Sequence, residues 1–264
     1  AFAFSARSHQ EALNTLLLAL SGGEGFIKIT GEVGTGKTML CRRLLASLGA
    51  DHISAYVPNP YLDPRGLFAA LAEELGIAGD GGADQHRLLK AINRALMEHA
   101  SAQRNVVLCL DEAQALPLET LEALRLLSNL ETEKRKLLHV VLFGQPELDE
   151  RLAHPSVRQL RQRIAFSYRL DGLARGEVDH YLDHRLRVAG YRGGALFSRG
   201  AARLLARASG GIPRLINILA HKSLLAAYGD GAQPIRRRHV AAAARDSSEA
   251  RWRPFSFWRW MRVA

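Results

Sequence analysis

The glycine-rich run at residues 31–38 restricts the fold of this chain more than any other feature of its sequence. It reads Gly-Glu-Val-Gly-Thr-Gly-Lys-Thr, between an apolar run at residues 26–29 and a helix-like segment at residues 39–45. A strand, a glycine loop and a helix in this order are typical of a phosphate-binding loop. We therefore expect a nucleotide site, in which Lys37 reaches the β- and γ-phosphates and Thr38 ligates Mg²⁺. The alternative is a glycine turn with a chance lysine.

A second element, the apolar run at residues 106–110, ends in the two carboxylates Asp111 and Glu112. Such a run suits a strand buried on both faces of a parallel sheet, and open α/β sheets bind ligands at the carboxyl ends of their strands. We expect Asp111 to hold Mg²⁺ through water and Glu112 to orient and polarise the attacking water. Two solvated acids at a strand end are common, but acids placed after a phosphate-binding loop favour hydrolysis. No Asn-Lys-x-Asp run is present, so ATP is favoured over GTP.

Composition narrows the class of protein without identifying a partner. A net charge of +10 favours acidic partners, namely nucleotides, nucleic acids or anionic lipid headgroups. The two cysteines, Cys41 and Cys109, form neither a disulfide framework nor a zinc-binding spacing, which suits the cytosol. No apolar run approaches the length of a membrane-spanning helix, and no signal peptide is recognised. We therefore expect a cytoplasmic protein.

Strand and helix patterns alternate up to about residue 170, and only helical patterns follow. Strands are expected at residues 26–29, 55–57, 106–110, 137–143 and 165–170. Helices are expected at residues 7–20, 39–45, 64–75, 85–100, 118–130, 147–163, 175–189, 199–208, 213–227 and 236–245. This order predicts an α/β P-loop NTPase of the AAA+ type, with a parallel-sheet core at residues 1–172, a C-terminal all-helical lid at residues 173–246 and a tail at residues 247–264.

Further polar residues fall where such a core would complete its site. Gln145 follows the strand expected between the loop strand and the acidic strand, where an amide contacts the γ-phosphate or the attacking water (sensor 1). Arg163, or in second place Arg161, precedes the last strand, where ring ATPases direct an arginine into the neighbouring subunit's site. Arg214 follows Pro213 at the start of a lid helix, where an arginine faces the nucleotide (sensor 2). The alternatives are a strand-ending turn for Gln145 and solvated surface arginines for the others.

These expectations define the candidate site. The expected catalytic residues are Glu112, Lys37, Arg163 and Gln145. The expected nucleotide-binding residues are Gly31, Glu32, Val33, Gly34, Thr35, Gly36, Lys37, Thr38, Met39 and Arg214. The expected Mg²⁺ ligands are Thr38 and Asp111.

The last 13 residues contain all three tryptophans of the chain, Trp252, Trp258 and Trp260. Arginines and two phenylalanines are interleaved with them. Aromatic rings with cationic neighbours favour a bilayer interface or a groove on a partner. Stacking on single-stranded nucleic acid and packing on the chain's own domain are the alternatives.

With these motifs placed, the chain resembles the ExeA/GspA-like AAA+ ATPases of bacterial secretion and pilus systems, and most of all the MshM-like members of MSHA-type (type IV) pilus clusters. The resemblance covers about residues 8–246. It is carried by residues 24–38, 111–117 (Asp-Glu-Ala-Gln-Ala-Leu-Pro), 122–132, 142–148 (Leu-Phe-Gly-Gln-Pro-Glu-Leu), 160–164 and 211–217 (Gly-Ile-Pro-Arg-Leu-Ile-Asn). It implies an ATP- and Mg²⁺-dependent ATPase that assembles a pilus or type II secretion machine. The implied partners are further copies of the chain in a ring and assembly proteins.

The chain departs from this family in two respects. A Phe/Pro-rich segment that helps to cover the adenine usually precedes the first helix, but only residues 1–5 stand there, which leaves base recognition open. ExeA-like members continue into a membrane helix and a peptidoglycan-binding domain, and their absence from this sequence favours the cytosolic, MshM-like form. The tail would then supply a peripheral contact with the inner membrane.

Two other functions fit parts of the sequence. A DNA-acting AAA+ protein, similar to the TniB-like transposition regulators, agrees with the positive charge, but no helix-turn-helix module follows the lid. A nucleotide-gated switch with little turnover agrees with the loop, but Glu112 argues against it. DNA is therefore the less favoured partner.

Overall fold

The computed structural model describes residues 4, 6–58, 60–77, 84–128 and 136–251. These residues divide into two compact units, His9–Leu170 and the residues from Asp171 onward together with those before His9. The end of the predicted helix at residues 129–130 and the tryptophans Trp252, Trp258 and Trp260 lie outside the described residues. Within the described ranges, no helix is both long and apolar enough to cross a lipid bilayer.

A parallel sheet forms the centre of the first unit. Its described strands are β1 (Phe26–Thr30), β2 (His52–Val57), β3 (Asn105–Leu110), β4 (Leu138–Gly144) and β5 (Ile164–Arg169), in the spatial order β2-β3-β4-β1-β5. Every neighbouring pair runs parallel. Because β4 lies between β1 and β3, the segments that follow these three strands emerge side by side at one edge of the sheet.

Helices cover both faces of this sheet. They are α1 (Arg7–Ser21), α2 (Lys37–Ser47), α3 (Pro64–Glu74), α4 (Gln85–Ser101), α5 (Leu118–Ser128), α6 (Glu147–Leu152) and α7 (Arg158–Arg163). Alternate residues of β3 enter different apolar clusters: Val106 packs with α3 to α7, and Val107 packs with α1 and α2. A strand covered on both faces has no polar side, which explains why residues 106–110 form an uninterrupted apolar run.

The predicted single helix at residues 147–163 is wrong, because the segment is broken in the middle. It forms α6, a 3₁₀ turn at Pro155–Val157 and then α7. Pro155 disfavours a helical backbone at the preceding residue, and His154 is accordingly extended, with φ −62° and ψ 138°. The His154 ring accepts a hydrogen bond from the Ser156 N–H at 3.3 Å, which caps the turn.

The second unit is helical, as expected. Its described helices are α8 (Arg175–Val188), α9 (Arg199–Ser209), α10 (Pro213–Gly229) and α11 (Arg237–Arg245). The described residues before His9 join this unit: the Phe4 and Tyr181 rings pack edge to face, with centroids 5.4 Å apart. Glu177 also accepts hydrogen bonds from the Arg7 and Ala174 N–H groups, at 2.9 and 2.8 Å. These contacts fasten the start of α1 to the start of α8.

Candidate functional site

The loop between β1 and α2 has a backbone that two glycines make possible. Gly36 is the N-cap of α2, with φ 98° in the left-handed region that favours glycine. A Cβ atom at this position would lie 2.7 Å from Nε2 of His9, and one at Gly31 would lie 2.7 Å from the Leu170 carbonyl oxygen. The loop is therefore closely covered from two sides, and side chains at these positions would force it to shift.

The N-terminus of α2 is open to an anion. Gly36 has no side chain to cap the helix, and no acidic residue lies in the first turn. The first N–H groups of a helix have no partner within the helix, and the helix dipole makes this end positive. The Thr35 hydroxyl donates to the Glu32 carbonyl at 2.8 Å, and this hydrogen bond closes the loop that precedes these N–H groups.

The Lys37 side chain folds into this loop. It is buried, and its Nζ donates to the carbonyl oxygens of Gly31 at 2.8 Å and Glu32 at 3.1 Å. Burial lowers the pKa of Lys37, whereas the carboxylates of Glu112 and Asp111, in that order, oppose this effect. The loop ammonium and the two acids after β3 thus belong to one electrostatic site.

Asp111 and Glu112 differ in their surroundings. Asp111 is only 2% exposed, and its Oδ1 accepts from the Glu112 N–H at 3.0 Å. Glu112 has φ 54° and ψ 37°, in the left-handed region, where a non-glycine residue costs roughly 1–2 kcal/mol. A residue that keeps its carboxylate in spite of this cost is a functional candidate.

Two amides hold one oxygen of Glu112. Oε2 accepts from Nε2 of Gln114 at 2.6 Å and from Nε2 of Gln145 at 3.1 Å. Oε1 of Gln114 in turn accepts from the backbone N–H of Gln145 at 3.0 Å. The three side chains link the carboxyl ends of β3 and β4. Both amide nitrogens go to Oε2, so this ring of hydrogen bonds does not use Oε1.

A family model described as AAA domain matches residues 20–152, which include the glycine loop and both acids. The chain belongs to the AAA domain family. General secretion pathway protein A of Aeromonas hydrophila is 42% identical to it over 250 residues, which make up 95% of this chain and 46% of that protein. The chain thus spans just under half the length of this curated relative. The resemblance to ExeA/GspA-like AAA+ ATPases is confirmed, and the closer likeness to MshM stays a prediction.

Solved structures confirm the AAA+ fold of the chain. Cdc6p from Pyrobaculum aerophilum superposes with a TM-score of 0.69 at 19% identity, over 93% of this chain and 69% of that one. The Thermotoga maritima RuvB Holliday junction branch migration motor superposes with a TM-score of 0.57 at 18% identity, over 92% and 69%. At such identities the likeness concerns the fold alone.

The first unit of the AAA domain protein brings most of the expected residues together. Lys37, Asp111, Glu112 and Gln145 lie at the edge formed by the ends of β1, β3 and β4. Thr38 is half-buried as the second residue of α2. Val33 and Met39 are exposed.

The three expected arginines are all exposed. Arg161 and Arg163 are exposed in the last turn of α7. Arg214 is exposed as the second residue of α10, in the second unit. Their roles toward the nucleotide stay predictions.

Sequence reasoning gave no role to Gln114 or His9. Gln114 lies in the 3₁₀ turn Ala113–Ala115, two residues after Glu112, and an amide this close to the acid is a signal that sequence reasoning had available. His9 is buried on α1 beside Gly36, 27 positions earlier in the chain, and no local pattern predicts this contact.

Proposed function

We propose that this AAA domain protein is a Mg²⁺-dependent ATPase in which Glu112 is the general base. The observation that carries the proposal is the Glu112 carboxylate, which two amides hold by Oε2 at the edge of the sheet that also bears Lys37. A base must be within hydrogen-bond reach of the water that it activates, and a fixed carboxylate supplies that geometry. Oε1 is the oxygen assigned to the water.

The residues around the loop fit a nucleoside triphosphate with its metal ion. The N–H groups of the loop and of the first turn of α2 would bind the β-phosphate, and Lys37 would bind the β- and γ-phosphates. The Thr38 hydroxyl and the buried Asp111 carboxylate are hard oxygen donors, which suit Mg²⁺. When bound, Mg²⁺ neutralises charge on the β- and γ-phosphate oxygens.

The remaining residues would complete the site from outside the loop. Gln145 would place its amide between Glu112 and the γ-phosphate. Arg163, from a neighbouring copy in a ring, would stabilise charge on the transferred phosphoryl group, and Arg161 is its competitor. Arg214 would contact the phosphates and respond to their loss.

The role in the cell is inferred from the relative's name. The relative's name connects it with a general secretion pathway. On that basis we propose that this chain serves assembly of a type II secretion or MSHA-like type IV pilus machine. Its partners would be further copies of itself and assembly proteins of that machine. We place it in the cytoplasm, with a peripheral contact at the inner membrane.

Substitution of the base tests the proposed chemistry. Glu112→Gln should reduce ATP turnover by at least about 10²-fold while ATP still binds, because general-base catalysis contributes about 10²–10⁴-fold. The matched control is Glu119→Gln, which removes an exposed carboxylate from α5. ATP binding is followed with a fluorescent analogue and turnover by phosphate release. Turnover in Glu112→Gln at the wild-type rate would exclude Glu112 as the base.

A further inference from the structure

We propose that the second unit binds an acidic linear peptide, which places a large apolar side chain and a carboxylate in one groove. The end of α8, the segment that follows it and the end of α10 form this groove. The groove lies entirely within the second unit, and the proposal does not depend on ATP hydrolysis.

Two cavities that share Tyr191 make up the groove. The apolar cavity has a volume of about 370 Å³, and its lining includes Leu196 and Ile235. The basic cavity has a volume of about 530 Å³, and its lining includes Arg187 and Arg192. Binding sites for small ligands have volumes of this order. The shared tyrosine therefore places an apolar site next to a basic one.

Backbone hydrogen bonds hold the walls of the apolar cavity in place. The Ile235 N–H donates to the Leu196 carbonyl at 2.8 Å, and the Ser198 N–H donates to the Ile235 carbonyl at 2.9 Å. These bonds join the segment before α9 to the segment before α11. A site that exists before its ligand arrives loses less conformational freedom on binding.

Two large apolar side chains stand at the edge of this cavity. Tyr228, at the end of α10, lines the cavity and is 88% exposed. Leu225, three residues earlier on the same helix, is 58% exposed. Residues three apart are neighbours on a helix surface. Grouped apolar surface beside a cavity marks an interaction site, whereas scattered exposed residues are ordinary.

The end of α8 fixes Tyr191 between the two cavities. Gly190 has φ 90°, its N–H donates to the Arg187 carbonyl at 3.0 Å, and the Tyr191 N–H donates to the Leu186 carbonyl at 2.9 Å. This pair of bonds is a Schellman motif, in which a left-handed glycine ends the helix. The turn brings Arg187 and Arg192, which flank Tyr191 in the sequence, to the same cavity.

The charges of the basic cavity favour an acidic ligand. Among the residues that the structure describes, neither Arg187 nor Arg192 forms a salt bridge or a side-chain hydrogen bond, and both are exposed. Asp183 also lines this cavity, so the guanidinium groups outnumber the carboxylate. Asp230, adjacent in sequence to the apolar cavity, is compensated by Arg238 at 3.4 Å. A guanidinium group binds a carboxylate by two parallel hydrogen bonds.

The two cavities together favour a peptide over other acidic partners. Residues 171–251 contain 14 lysines and arginines against 7 aspartates and glutamates, so this unit attracts anions of every class. A nucleic acid would bring phosphates to the arginines but no aliphatic side chain to the apolar cavity. A bilayer presents a broad surface, whereas this cavity is concave. A peptide supplies an apolar anchor for one cavity and a carboxylate for the other.

Selection from a phage library of random peptides on the immobilised full chain, without nucleotide, tests the proposal. Enriched peptides should combine Leu, Ile, Phe or Met with Asp or Glu. A synthetic, fluorescein-labelled copy of the most enriched peptide should bind the chain with a Kd in the micromolar range, measured by fluorescence anisotropy. Replacing its apolar residue by alanine, or its acid by the corresponding amide, should weaken binding.

Substitutions in the groove should change this binding in different ways. Tyr228→Ala should weaken it about fivefold or more, because it removes an apolar contact. The double variant Arg187→Gln, Arg192→Gln should weaken it about tenfold, because it removes charge-assisted hydrogen bonds. The double variant Arg187→Glu, Arg192→Glu should instead select peptides with Lys or Arg.

Matched controls remove the same chemistry elsewhere. Leu18→Ala takes an exposed apolar side chain from α1, and the double variant Arg203→Gln, Arg207→Gln takes two exposed arginines from α9. Both should bind the selected peptide as the wild type does. Thermal melts establish that each variant is folded.

The proposal would be overturned if the library yielded no enriched peptide, or peptides without acidic residues. It would also fall if the groove variants kept the wild-type affinity or if the controls lost as much. A third contrary result is that the groove variants lose binding to single-stranded DNA, to phosphatidylglycerol vesicles or to a second copy of the chain, while no peptide binds. Because no nucleotide is present, failure of the proposed ATPase chemistry leaves these results unaffected.

Discussion

Gln114 donates through Nε2 to Oε2 of Glu112 at 2.6 Å, from a turn only two residues farther along the chain. The same side chain accepts through Oε1 from the backbone N–H of Gln145. Gln114 therefore joins the acid at the end of β3 to the amide at the end of β4. A shift of either strand end would therefore change the hydrogen bonds to Oε2 of Glu112.

Gln114→Ala should lower the kcat for ATP about tenfold and leave KM for ATP little changed. The substitution removes one of the two amides that orient Glu112, whereas the Lys37 loop that would bind the phosphates stays intact. Steady-state phosphate release measures both constants. Gln162→Ala, at an exposed position of α7, is the control. An unchanged kcat would mean that Gln145 alone suffices to orient the carboxylate.

Gly36→Ala should lower the free energy of unfolding by roughly 2 kcal/mol and weaken nucleotide binding. The alanine would have to adopt a left-handed backbone and displace His9. Urea unfolding measures the loss. The control is Gly200→Ala in α9, where nothing lies within 4 Å of the new Cβ, and stability should rise by about 0.5–1 kcal/mol.

A double substitution tests whether the collision with His9 contributes to the effect of Gly36→Ala. Combining Gly36→Ala with His9→Ala should cost less than the sum of the two single substitutions, since the smaller side chain removes the collision. Additive costs would show that the backbone conformation alone accounts for the effect of Gly36→Ala.

Lys37→Met should abolish nucleotide binding and raise the free energy of unfolding at pH 7. Burial lowers the pKa of Lys37 from 10.5, so the folded chain binds fewer protons than the unfolded chain between the two pKa values. The cost of burying the charge is fully present below the folded pKa and disappears above 10.5. The gain in the variant should therefore shrink as the pH rises toward that value.

Urea unfolding of wild type and Lys37→Met from pH 7 upward provides this comparison. A variant less stable than the wild type at pH 7 would mean that the hydrogen bonds of Nζ to Gly31 and Glu32 outweigh the cost of burial.

Arg163→Ala should reduce ATP turnover about 10³-fold if this arginine acts in a neighbouring copy's site. The specific rate of the wild type should then rise with protein concentration, because the site is complete only in the assembly. Arg161→Ala, which removes a neighbouring exposed arginine from α7, is the comparison. A specific rate that is independent of concentration, with no effect of Arg163→Ala, would point to a site complete in one chain.

The sequence predicts those parts of the fold that local physics determines. Residues 106–110 form an uninterrupted apolar run because both faces of the strand are buried. The glycine at position 36 signals a loop because the backbone there is left-handed, with φ 98°. The break at Pro155 was missed because the arginine-rich pattern continues across it. The proline itself was the available signal.

The contacts of the site were less predictable, because they depend on tertiary structure. Gln145 is 33 positions from Glu112, and their meeting follows only from the placement of β4 beside β3. His9 reaches Gly36 because α1 and α2 pack in one apolar cluster. Neither contact can be predicted from the separation of the two residues along the sequence.

The left-handed backbone of Glu112 has a consequence for protein engineering. Glycine adopts φ 54° without cost, and asparagine does so more easily than glutamate. A library of variants selected for thermal stability alone would therefore enrich these residues at position 112. The selected proteins would be more stable but would lack the proposed base. Stability-guided redesign of this chain should hold residue 112 fixed and seek its gains elsewhere.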